Sequence, residues 1–390
     1  MSETATLPRR SAADRGPLLS ATGVTKTFRV ARNSSGNTRL TALDGVDLRL
    51  GRGETLGLVG ESGCGKSTLA RVLLLLERPD SGEIRFDGVD PFALKGRELL
   101  AWRRRVQMVF QDPYASLNAR MTAADIIAEP WRTHRDVMPT ASARAARVRE
   151  LLDLVGLREG DAERYPQEFS GGQRQRIGIA RALALDPEII VCDEPVSALD
   201  LSVQAQVLNL LTDLQQQLGV SYVFISHDLS VVRHVADRVS VMYLGKVIEQ
   251  GPTEDVFDRP LHPYTAALMS AAPTLDRSPA AQGRKRILLE GEVPSPLNPP
   301  SGCRFRTRCP YAAARCAEVE PAPVVAGSVS GSVSGSVDSP TTPVADDVEQ
   351  PTATSAAAAG LGSAAVNPRH VEHLGLCHFP LDASGAPIHS

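Results

Sequence analysis

The chain has 390 residues, a hydrophobic content of 42% and a formal net charge of −3. This length allows two or three domains with real cores, and the charge argues against a protein that binds nucleic acid mainly through its phosphates. The apolar run at residues 72–76 is far shorter than the roughly 18 residues that suggest a membrane span. Residues 1–17, predicted to be a flexible N-terminus, lack the apolar region of a secretory signal. We therefore expect a soluble cytoplasmic protein that reaches any membrane through a partner.

Residues 18–251 alternate apolar strands with amphipathic helices, which predicts an α/β domain. Residues 40–50 and 82–90 alternate with period two and carry Asp-Gly turns, so they are predicted to be antiparallel strands flanking the core. The segments "TLGLVG", "EIIVCDE" and "SYVFISHD" are nearly all apolar, as in buried parallel strands. A helical subdomain is predicted at about residues 97–183, and it includes a helix over residues 144–156. A second helix is predicted to pack one face on the sheet through Val203, Val207, Leu210, Leu211, Leu214 and Leu218.

The segment "GESGCGKST", residues 60–68 and here called the phosphate loop, lies between a predicted strand and a predicted helix. Glycines there allow backbone N–H groups to surround phosphate oxygens at a helix N-terminus. Lys66 can reach the β- and γ-phosphates of a nucleotide, and the Ser67 hydroxyl can bind Mg²⁺. A chance glycine-rich turn is disfavoured because both the strand and the helix are in place. The predicted nucleotide-binding residues are Gly60, Glu61, Ser62, Gly63, Cys64, Gly65, Lys66, Ser67 and Thr68.

Two carboxylates, Asp193 and Glu194, end an apolar strand, and His227 follows the next strand. Asp193 suits a contact to a Mg²⁺-bound water, and Glu194 suits the base that aligns or deprotonates an attacking water. His227 could contact the γ-phosphate. Buried strand ends also carry structural carboxylates, and a single histidine is more often structural, so these residues alone would not establish a catalytic site.

A second anion site is predicted where "SGGQ", here called the signature segment, opens a helix. Its residues are Ser170, Gly171, Gly172 and Gln173. Gln111, the signature segment, the Asp193–Glu194 pair, "SALD" at residues 197–200 and His227 follow the phosphate loop in order. With this series, residues 18–250 resemble the nucleotide-binding subunits of ABC transporters. The resemblance implies a P-loop ATPase core with an antiparallel β subdomain and a helical signature subdomain.

The resemblance also implies roles for individual residues. Phe28 would stack on adenine, Gln111 would sense both Mg²⁺ and the membrane partner, and residues 197–200, ending at Asp200, would couple two sites. Two subunits would meet head to tail, so that each signature segment faces the γ-phosphate held by the other subunit. ATP would join the subunits, and hydrolysis would release them.

The C-terminal third resembles the extension of oligopeptide and dipeptide importer ATPases, most closely their F-type subunit. The segments "RPLHPYTAALMSAAP" and "EVPSPLNPPSGCRFRTRCP" carry this resemblance. It implies an extension at residues 252–316, and nickel importers share this branch. Residues 317–368 are rich in Gly, Ser, Pro and Ala and are predicted to be a disordered insertion. Residues 369–390 are predicted to be a tail.

Four late cysteines, Cys303, Cys309, Cys316 and Cys377, form what we call the thiol cluster. In a reducing compartment such a set indicates metal ligands or unligated thiols rather than disulfides. Four thiolates could hold a [4Fe-4S] cluster, and the proline after Cys309 resembles ferredoxin sequences. Zinc also accepts four sulfurs, although its sites usually show closer cysteine spacing.

The leading hypothesis is the ATP-hydrolysing subunit of a peptide-class importer, with ATP and Mg²⁺ as its ligands. The resemblance implies a peripheral protein on the cytoplasmic face of the cell membrane, bound to two integral membrane permease subunits. It also implies pairing with a second related ATPase or with itself, and an indirect link to an extracytoplasmic solute-binding protein. The alternatives are a soluble ABC ATPase acting on nucleic acid or ribosomes and an ATP-binding regulator without hydrolysis. The single cassette and mild acidity disfavour the first, and Glu194 with His227 disfavours the second.

Overall fold

A computed structural model describes residues 16–30, 39–271, 287–326, 372–382 and 385–388. Its strands are β1 (Leu19–Arg29), β2 (Arg39–Leu50), β3 (Thr55–Val59), β4 (Ser81–Phe86), β5 (Val106–Val109), β6 (Ile189–Asp193), β7 (Ser221–Ile225), β8 (Arg238–Tyr243), β9 (Lys246–Pro252), β10 (Pro323–Val325) and β11 (Leu374–Leu376). Its α-helices are α1 (Lys66–Leu73), α2 (Gly96–Arg105), α3 (Ala123–Ala128), α4 (Pro130–Thr133), α5 (Ala141–Leu154), α6 (Gly171–Leu183), α7 (Leu201–Leu218), α8 (Leu229–Val235), α9 (Thr253–Asp258), α10 (Pro263–Ala271) and α11 (Arg315–Glu318). Within these ranges, three short 3₁₀ helices lie at Pro91–Ala93, Glu159–Glu163 and Pro166–Glu168.

A three-stranded antiparallel sheet has the order β2-β1-β4. Its register pairs Leu19 with both Leu50 and Phe86. Along β2, Val46, Leu48 and Leu50 are buried while the residues between them are exposed, so one face of the sheet covers the core. The structure confirms two antiparallel strands at these places, but the predicted strand over residues 82–90 was too long, because β4 ends at Phe86 and Asp87-Gly88 forms a turn.

An eight-stranded sheet has the order β10-β11-β9-β8-β3-β7-β6-β5. The five strands from β8 to β5 run parallel, while β9, β11 and β10 add antiparallel pairs at one side. Every residue of β3 and β7 is buried, as the continuous apolar runs predicted. Because parallel strands end at the same edge, the segments that follow β3, β5, β6 and β7 meet there.

Helix α7 packs on the sheet by a face that differs in part from the predicted one. Its buried residues are Val207, Leu208, Leu211 and Leu214. Leu208 is therefore buried although the prediction omitted it, and Leu218 at the end of the helix is 47% exposed. The predicted stripe was right in the middle of the helix and wrong at its C-terminal end, where Gly219 in the left-handed region ends α7.

The helical region is narrower than the predicted range of 97–183. Helix α2 and strand β5 lie within that range, but β5 pairs with β6 in the large sheet, and Trp102 of α2 packs edge-on against Phe86 of β4. The helices beyond β5 enclose Trp131, which is fully buried and donates from Nε1 to the Ala184 carbonyl at 2.8 Å. Helix α2 and strand β5, at the start of the predicted range, therefore pack with the two sheets rather than with the helical region.

The C-terminal part of the chain returns to the large sheet. Strand β11 pairs with β9 on one side and with β10 on the other. The disordered insertion was predicted to begin at residue 317, but residues 317–326 include the end of α11 and the whole of β10. The rest of that predicted insertion up to residue 368, together with residues 1–15 of the predicted N-terminus, lies outside the described residues. Within the described ranges, no helix is both long and apolar enough to cross a membrane.

Candidate functional site

The phosphate loop connects β3 to α1 and has the backbone of an anion cradle. Gly60, Gly63 and Gly65 all have positive φ, at 149°, 79° and 114°. A Cβ on Gly60 would lie 2.2 Å from the Met242 carbonyl oxygen, and one on Gly65 would lie 2.5 Å from a backbone oxygen of β2. Only glycine fits both the conformation and the space at these two positions.

Lys66 opens α1 and folds back over the phosphate loop. Its side chain is buried, and its Nζ donates to the carbonyl oxygens of Gly60 at 2.7 Å and Glu61 at 3.0 Å. The Cys64 thiol lies 3.7 Å from the same nitrogen, and burial raises the pKa of that thiol. An ammonium held by neutral carbonyls at the mouth of a glycine loop can transfer its hydrogen bonds to a phosphate.

Asp193 ends β6 beside the start of α1. Burial raises the pKa of its carboxyl, and the neighbouring Glu194 charge raises it further, while Lys66 and Arg71 act in the opposite direction. A carboxylate whose charge is disfavoured by burial and by a second carboxylate gains from a bound cation. Mg²⁺ typically takes one or two carboxylates together with substrate phosphates. The Asp193 carboxylate, the Ser67 hydroxyl and the Gln111 side chain offer oxygen atoms of this kind, so the chemistry of these residues fits Mg²⁺.

Glu194 lies between side chains from the two neighbouring strand ends. Gln111, after β5, donates from Nε2 to Glu194 Oε2 at 2.8 Å, and His227 Nδ1, after β7, lies 3.0 Å from Glu194 Oε1. The structure thus brings together the three residues that were predicted to be catalytic.

The Glu194 backbone is strained. Its φ is +47°, a left-handed value that is uncommon outside glycine. The Glu194 N–H donates to the Ile225 carbonyl at 2.9 Å, and its own carbonyl accepts from the Ser197 hydroxyl at 3.1 Å. Strained residues that are fixed by their surroundings cluster at functional sites. A carboxylate so held can accept a proton from a water in the cleft.

The signature segment forms the start of α6. Ser170 Oγ accepts from the Gln173 N–H at 3.3 Å, and Gln173 Oε1 accepts from the Ser170 N–H at 3.0 Å, which is a capping box. A Cβ on Gly172 would lie 2.3 Å from Val203, so glycine lets α6 approach α7 closely. In the described residues, the hydrogen bonds of Ser170 and Gln173 stay within this helix start and do not reach the phosphate loop of the same chain.

The remaining predicted residues lie on the two flanks of the site. Phe28 is half-buried on β1, with Lys26 Nζ 5.2 Å from its ring centre. Asp200 is exposed at the N-cap of α7. The geometry places Phe28 in the antiparallel sheet and Asp200 just beyond Ser197, and among the described residues neither side chain forms a hydrogen bond or ion pair with Glu194.

The thiol cluster is brought together although Cys377 is far from the other three in sequence. Cys303 donates its N–H to the Cys316 carbonyl at 2.8 Å, and β11 delivers Cys377. Burial raises the pKa of Cys309 to about 11 and that of Cys377 to about 12, and electrostatic repulsion from Cys303 and Cys316 adds to the rise at both. All four are free thiols. In the described part of the chain, however, no three His, Cys, Asp or Glu side chains are arranged to hold a metal ion.

One set of contacts to the phosphate loop was not predicted. Arg308 bonds the Glu61 carboxylate, and the Glu61 N–H donates to the Tyr264 hydroxyl at 3.0 Å. The alternating arginines of "CRFRTRC", residues 303–309, are a visible signal in the sequence. That signal does not identify their partners, because the partners lie in the ATPase core.

Comparison with known proteins bears on the whole arrangement. Residues 43–197 match the family model described as "ABC transporter", and residues 248–316 match the model "Oligopeptide/dipeptide transporter, C-terminal region". The "Oligopeptide transport ATP-binding protein OppF" of Salmonella typhimurium is 56% identical over 283 residues, which cover 72% of this chain and 84% of that protein. The chain belongs to the ABC transporter ATP-binding proteins of the oligopeptide/dipeptide family.

Other members of this family match over similar lengths. The "Oligopeptide transport ATP-binding protein AppF" of Bacillus subtilis is 56% identical over 281 residues, covering 72% of this chain and 84% of the relative. The "Dipeptide transport ATP-binding protein DppF" of Haemophilus influenzae is 53% identical over 307 residues, covering 78% of this chain and 92% of the relative. These matches confirm the predicted family.

Solved structures confirm the ABC ATPase fold. A dimeric ATP-binding cassette in a post-hydrolysis state, bound to ADP and Pi, has a TM-score of 0.54 and 31% identity. The match covers 60% of this chain and 98% of the chain in that structure. A cassette from Clostridium perfringens, part of the cbiONQ transporter complex, gives a TM-score of 0.54 and 28% identity, covering 62% of this chain and 91% of that one. This protein is therefore an ABC-type ATPase with the P-loop NTPase fold.

Proposed function

We propose that this protein hydrolyses ATP to drive the import of oligopeptides or dipeptides across a cell membrane. The observation that carries the peptide class is the match of residues 248–316 to the oligopeptide/dipeptide C-terminal region. Relatives at 53–56% identity are named for oligopeptide and dipeptide transport, which supports the same class. Nickel or a related small solute is the alternative cargo, since an external binding protein and the membrane subunits would select the ligand.

For the hydrolytic step, Lys66 and the backbone N–H groups of the phosphate loop would bind the β- and γ-phosphates. Ser67, Asp193 and Gln111 are the proposed Mg²⁺ residues, and bound Mg²⁺ would neutralise charge developing on the phosphates. Glu194 would orient a water and take its proton as the water oxygen forms a bond to the γ-phosphorus. The bond from that phosphorus to the ADP oxygen breaks, and ADP leaves with the bonding electrons.

Three other residue sets have proposed roles at this site. His227 would contact the γ-phosphate, and its Nδ1 lies 3.0 Å from Glu194 Oε1. Phe28 would stack on the adenine from the antiparallel sheet. Ser197 would communicate the state of Glu194 to the segment ending at Asp200, since its hydroxyl bonds the Glu194 carbonyl.

We infer that ATP is shared between two subunits that meet head to tail. The signature segment is a capped helix start with Ser170 exposed, and among the described residues the hydrogen bonds of Ser170 and Gln173 do not reach the phosphate loop of the same chain. Its dipole would therefore act on the γ-phosphate held by a second subunit, either a related ATPase or another copy. A similar cassette has been solved as a dimer, which supports pairing.

Cross-linking tests this pairing. With cysteines introduced by Ser62→Cys and Ser170→Cys in a hydrolysis-deficient protein, ATP should favour a disulfide between polypeptides, mapped by mass spectrometry. A disulfide joining residues 62 and 170 of one polypeptide would contradict the shared site.

Two permease subunits in the membrane are the proposed docking partners, at its cytoplasmic face. The chain next to Gln111 exposes aromatic surface, with Phe110 44% and Tyr114 62% exposed. Aromatic residues are enriched at protein interfaces. Because Gln111 bonds Glu194, a partner that contacts the chain around Gln111 would act on Glu194 through Gln111.

Purification from native membranes tests the transport role. The protein should co-purify with two integral membrane subunits, and a peptide-loaded binding protein should stimulate its ATPase activity in proteoliposomes. Recovery with ribosomes or nucleic acid instead would favour the non-transport alternative, which the transport names of its relatives do not support.

We propose a [4Fe-4S] cluster as a further cofactor of the thiol cluster. Four sulfur donors suit such a cluster, and mutual electrostatic effects indicate that the thiols lie near one another. Among the described residues, no three or more His, Cys, Asp or Glu side chains are arranged to hold a metal ion. The proposal therefore rests on the chemistry of the four thiols and on their proximity. Anaerobically purified protein should contain iron and absorb visible light, whereas colourless, iron-free protein would disprove the cluster.

A further inference from the structure

The loop of residues 303–309, here called the arginine loop, holds the side chain of Glu61 in the phosphate loop. Arg308 Nη1 donates to Glu61 Oε2 at 2.8 Å, and Arg308 Nη2 donates to Glu61 Oε1 at 3.1 Å. The two parallel bonds form a fork that fixes both the distance and the orientation of the carboxylate. The Arg308 side chain is only 8% exposed, so water competes little for these bonds.

The backbone of Glu61 is held by the same part of the chain. The Glu61 N–H donates to the Tyr264 hydroxyl at 3.0 Å, and Tyr264 comes from α10. Phe305 of the arginine loop is 1% exposed and packs against Tyr243 and Tyr264, with ring centres 5.5 and 5.4 Å apart. Residues from beyond the ATPase core therefore fix Glu61 at both its main chain and its side chain.

A second arginine ties the same loop to the core. Arg304 donates to the Leu244 carbonyl oxygen and to the Asp44 carboxylate. Leu244 is followed by Gly245, whose N–H donates to the Cys64 carbonyl of the phosphate loop at 2.8 Å. The Asp44 N–H also donates to the Gly245 carbonyl at 2.9 Å, so both Arg304 contacts are connected through Gly245 to Cys64 of the phosphate loop.

Glu61 matters for nucleotide binding through its carbonyl. That oxygen accepts from Lys66 Nζ at 3.0 Å, so the position of Glu61 helps to set the position of the ammonium. The phosphate loop contacts its ligand through backbone N–H groups, and these work only when the loop has the correct shape. A displacement of about 1 Å in such a cradle is enough to weaken its function strongly.

We propose that Arg308 is a positioning residue and that the arginine loop is a strut that keeps the phosphate loop in its nucleotide-binding shape. Arg308 acts through Glu61, because both of its terminal nitrogens are already bonded to that carboxylate and its side chain is buried. The C-terminal extension then sets the affinity of the ATP site in the same chain. This inference rests on the proposed nucleotide site.

Nucleotide titration of purified variants tests the strut. Arg308→Gln should raise both the Kd of a fluorescent ATP analogue and the KM for ATP by about tenfold, with kcat changed less than twofold. Arg308→Lys should recover part of the affinity, because it keeps the charge without the fork. Arg306→Gln is the matched control, since Arg306 bonds Ser301 within the extension, and it should bind ATP normally.

Glu61→Gln provides a second route to the same link. It should also weaken ATP binding, and the double variant with Arg308→Gln should be no weaker than the worse single variant, because both remove one interaction. A lowered melting temperature with unchanged Kd and KM in Arg308→Gln and Glu61→Gln would overturn the strut and leave a purely structural ion pair.

Lys66→Ala separates this inference from the site on which it rests. It should reduce nucleotide binding by at least about tenfold through the loss of charged hydrogen bonds to phosphate. If Lys66→Ala loses binding while Arg308→Gln does not, the strut alone is wrong. If Lys66→Ala binds ATP normally, the proposed nucleotide site is wrong, and the strut, which depends on that site, is wrong with it.

Discussion

Glu194, directly after β6, and Glu249, within β9, both contact a histidine, yet one is partly exposed and the other is fully enclosed. Glu249 of β9 is 1% exposed and accepts hydrogen bonds from the Leu261 and His262 N–H groups, each at 2.8 Å. His373 Nε2 lies 2.7 Å away. These partners join the strand, the segment before α10 and the C-terminal tail, so Glu249 ties three parts of the chain together.

Glu194 is held by groups that can change partners. Its side chain is 18% exposed, and its carboxylate contacts the side chains of Gln111 and His227, the latter 62% exposed. No backbone N–H bond to that carboxylate is found among the described residues. A carboxylate-histidine contact therefore does not by itself define a role. Exposure and the kind of partner distinguish a group that is free to do chemistry from a group that holds the fold.

The largest expected effect is on turnover in Glu194→Gln. The amide keeps the size and one hydrogen-bond acceptor but cannot take a proton, so kcat should fall by about a hundredfold or more. ATP binding and the melting temperature should stay near the wild-type values. Steady-state phosphate release, nucleotide titration and thermal unfolding measure the three quantities.

The matched control for that variant is Glu163→Gln, which makes the same change at an exposed glutamate in the helical region. Its turnover should equal that of the wild type. Normal turnover in Glu194→Gln would mean that Glu194 has no more part in hydrolysis than the exposed Glu163.

His227→Ala should have a smaller effect on the same step. The ring is mostly exposed, so its removal leaves no large cavity, and kcat should fall roughly tenfold, which corresponds to about 1.4 kcal/mol in the barrier. Stability should change little. A kcat equal to that of the wild type would show that His227 only covers Glu194.

Glu249→Gln should affect stability and leave catalysis alone. The amide can present one oxygen to two backbone N–H groups, so a buried donor loses its acceptor at a cost of about 1–3 kcal/mol. Denaturant unfolding should show this loss, while kcat per folded molecule stays normal. A variant with unchanged stability and impaired turnover would mean that Glu249 acts on the ATP site.

The sequence could predict the features that depend on short-range pattern. The strands carrying Leu56, Val191 and Val223 are recognisable because buried parallel strands are apolar throughout. Glu194 and Lys66 stand in motifs whose chemistry requires neighbouring residues, so their place in the site follows once the family is recognised.

Long-range contacts account for most of what could not be predicted. Arg308 and Glu61 are far apart in the chain, and neither residue indicates its partner by itself. The burial of Leu208 in α7 depends on what packs beside the helix, which helical spacing alone does not specify. Strand β11 joins β9 only because the chain returns after a long segment, so its pairing has no local signal.

The most direct test of the hydrolytic role is the identity of the nucleotide recovered from the Glu194→Gln protein. The variant would be incubated with ATP and Mg²⁺, separated from free nucleotide, denatured and analysed by chromatography. We expect intact ATP on the protein, because the water at the γ-phosphate has no carboxylate to accept its proton. Recovery of ADP, in the amount found for the wild type under the same conditions, would contradict the assignment of Glu194 as the base.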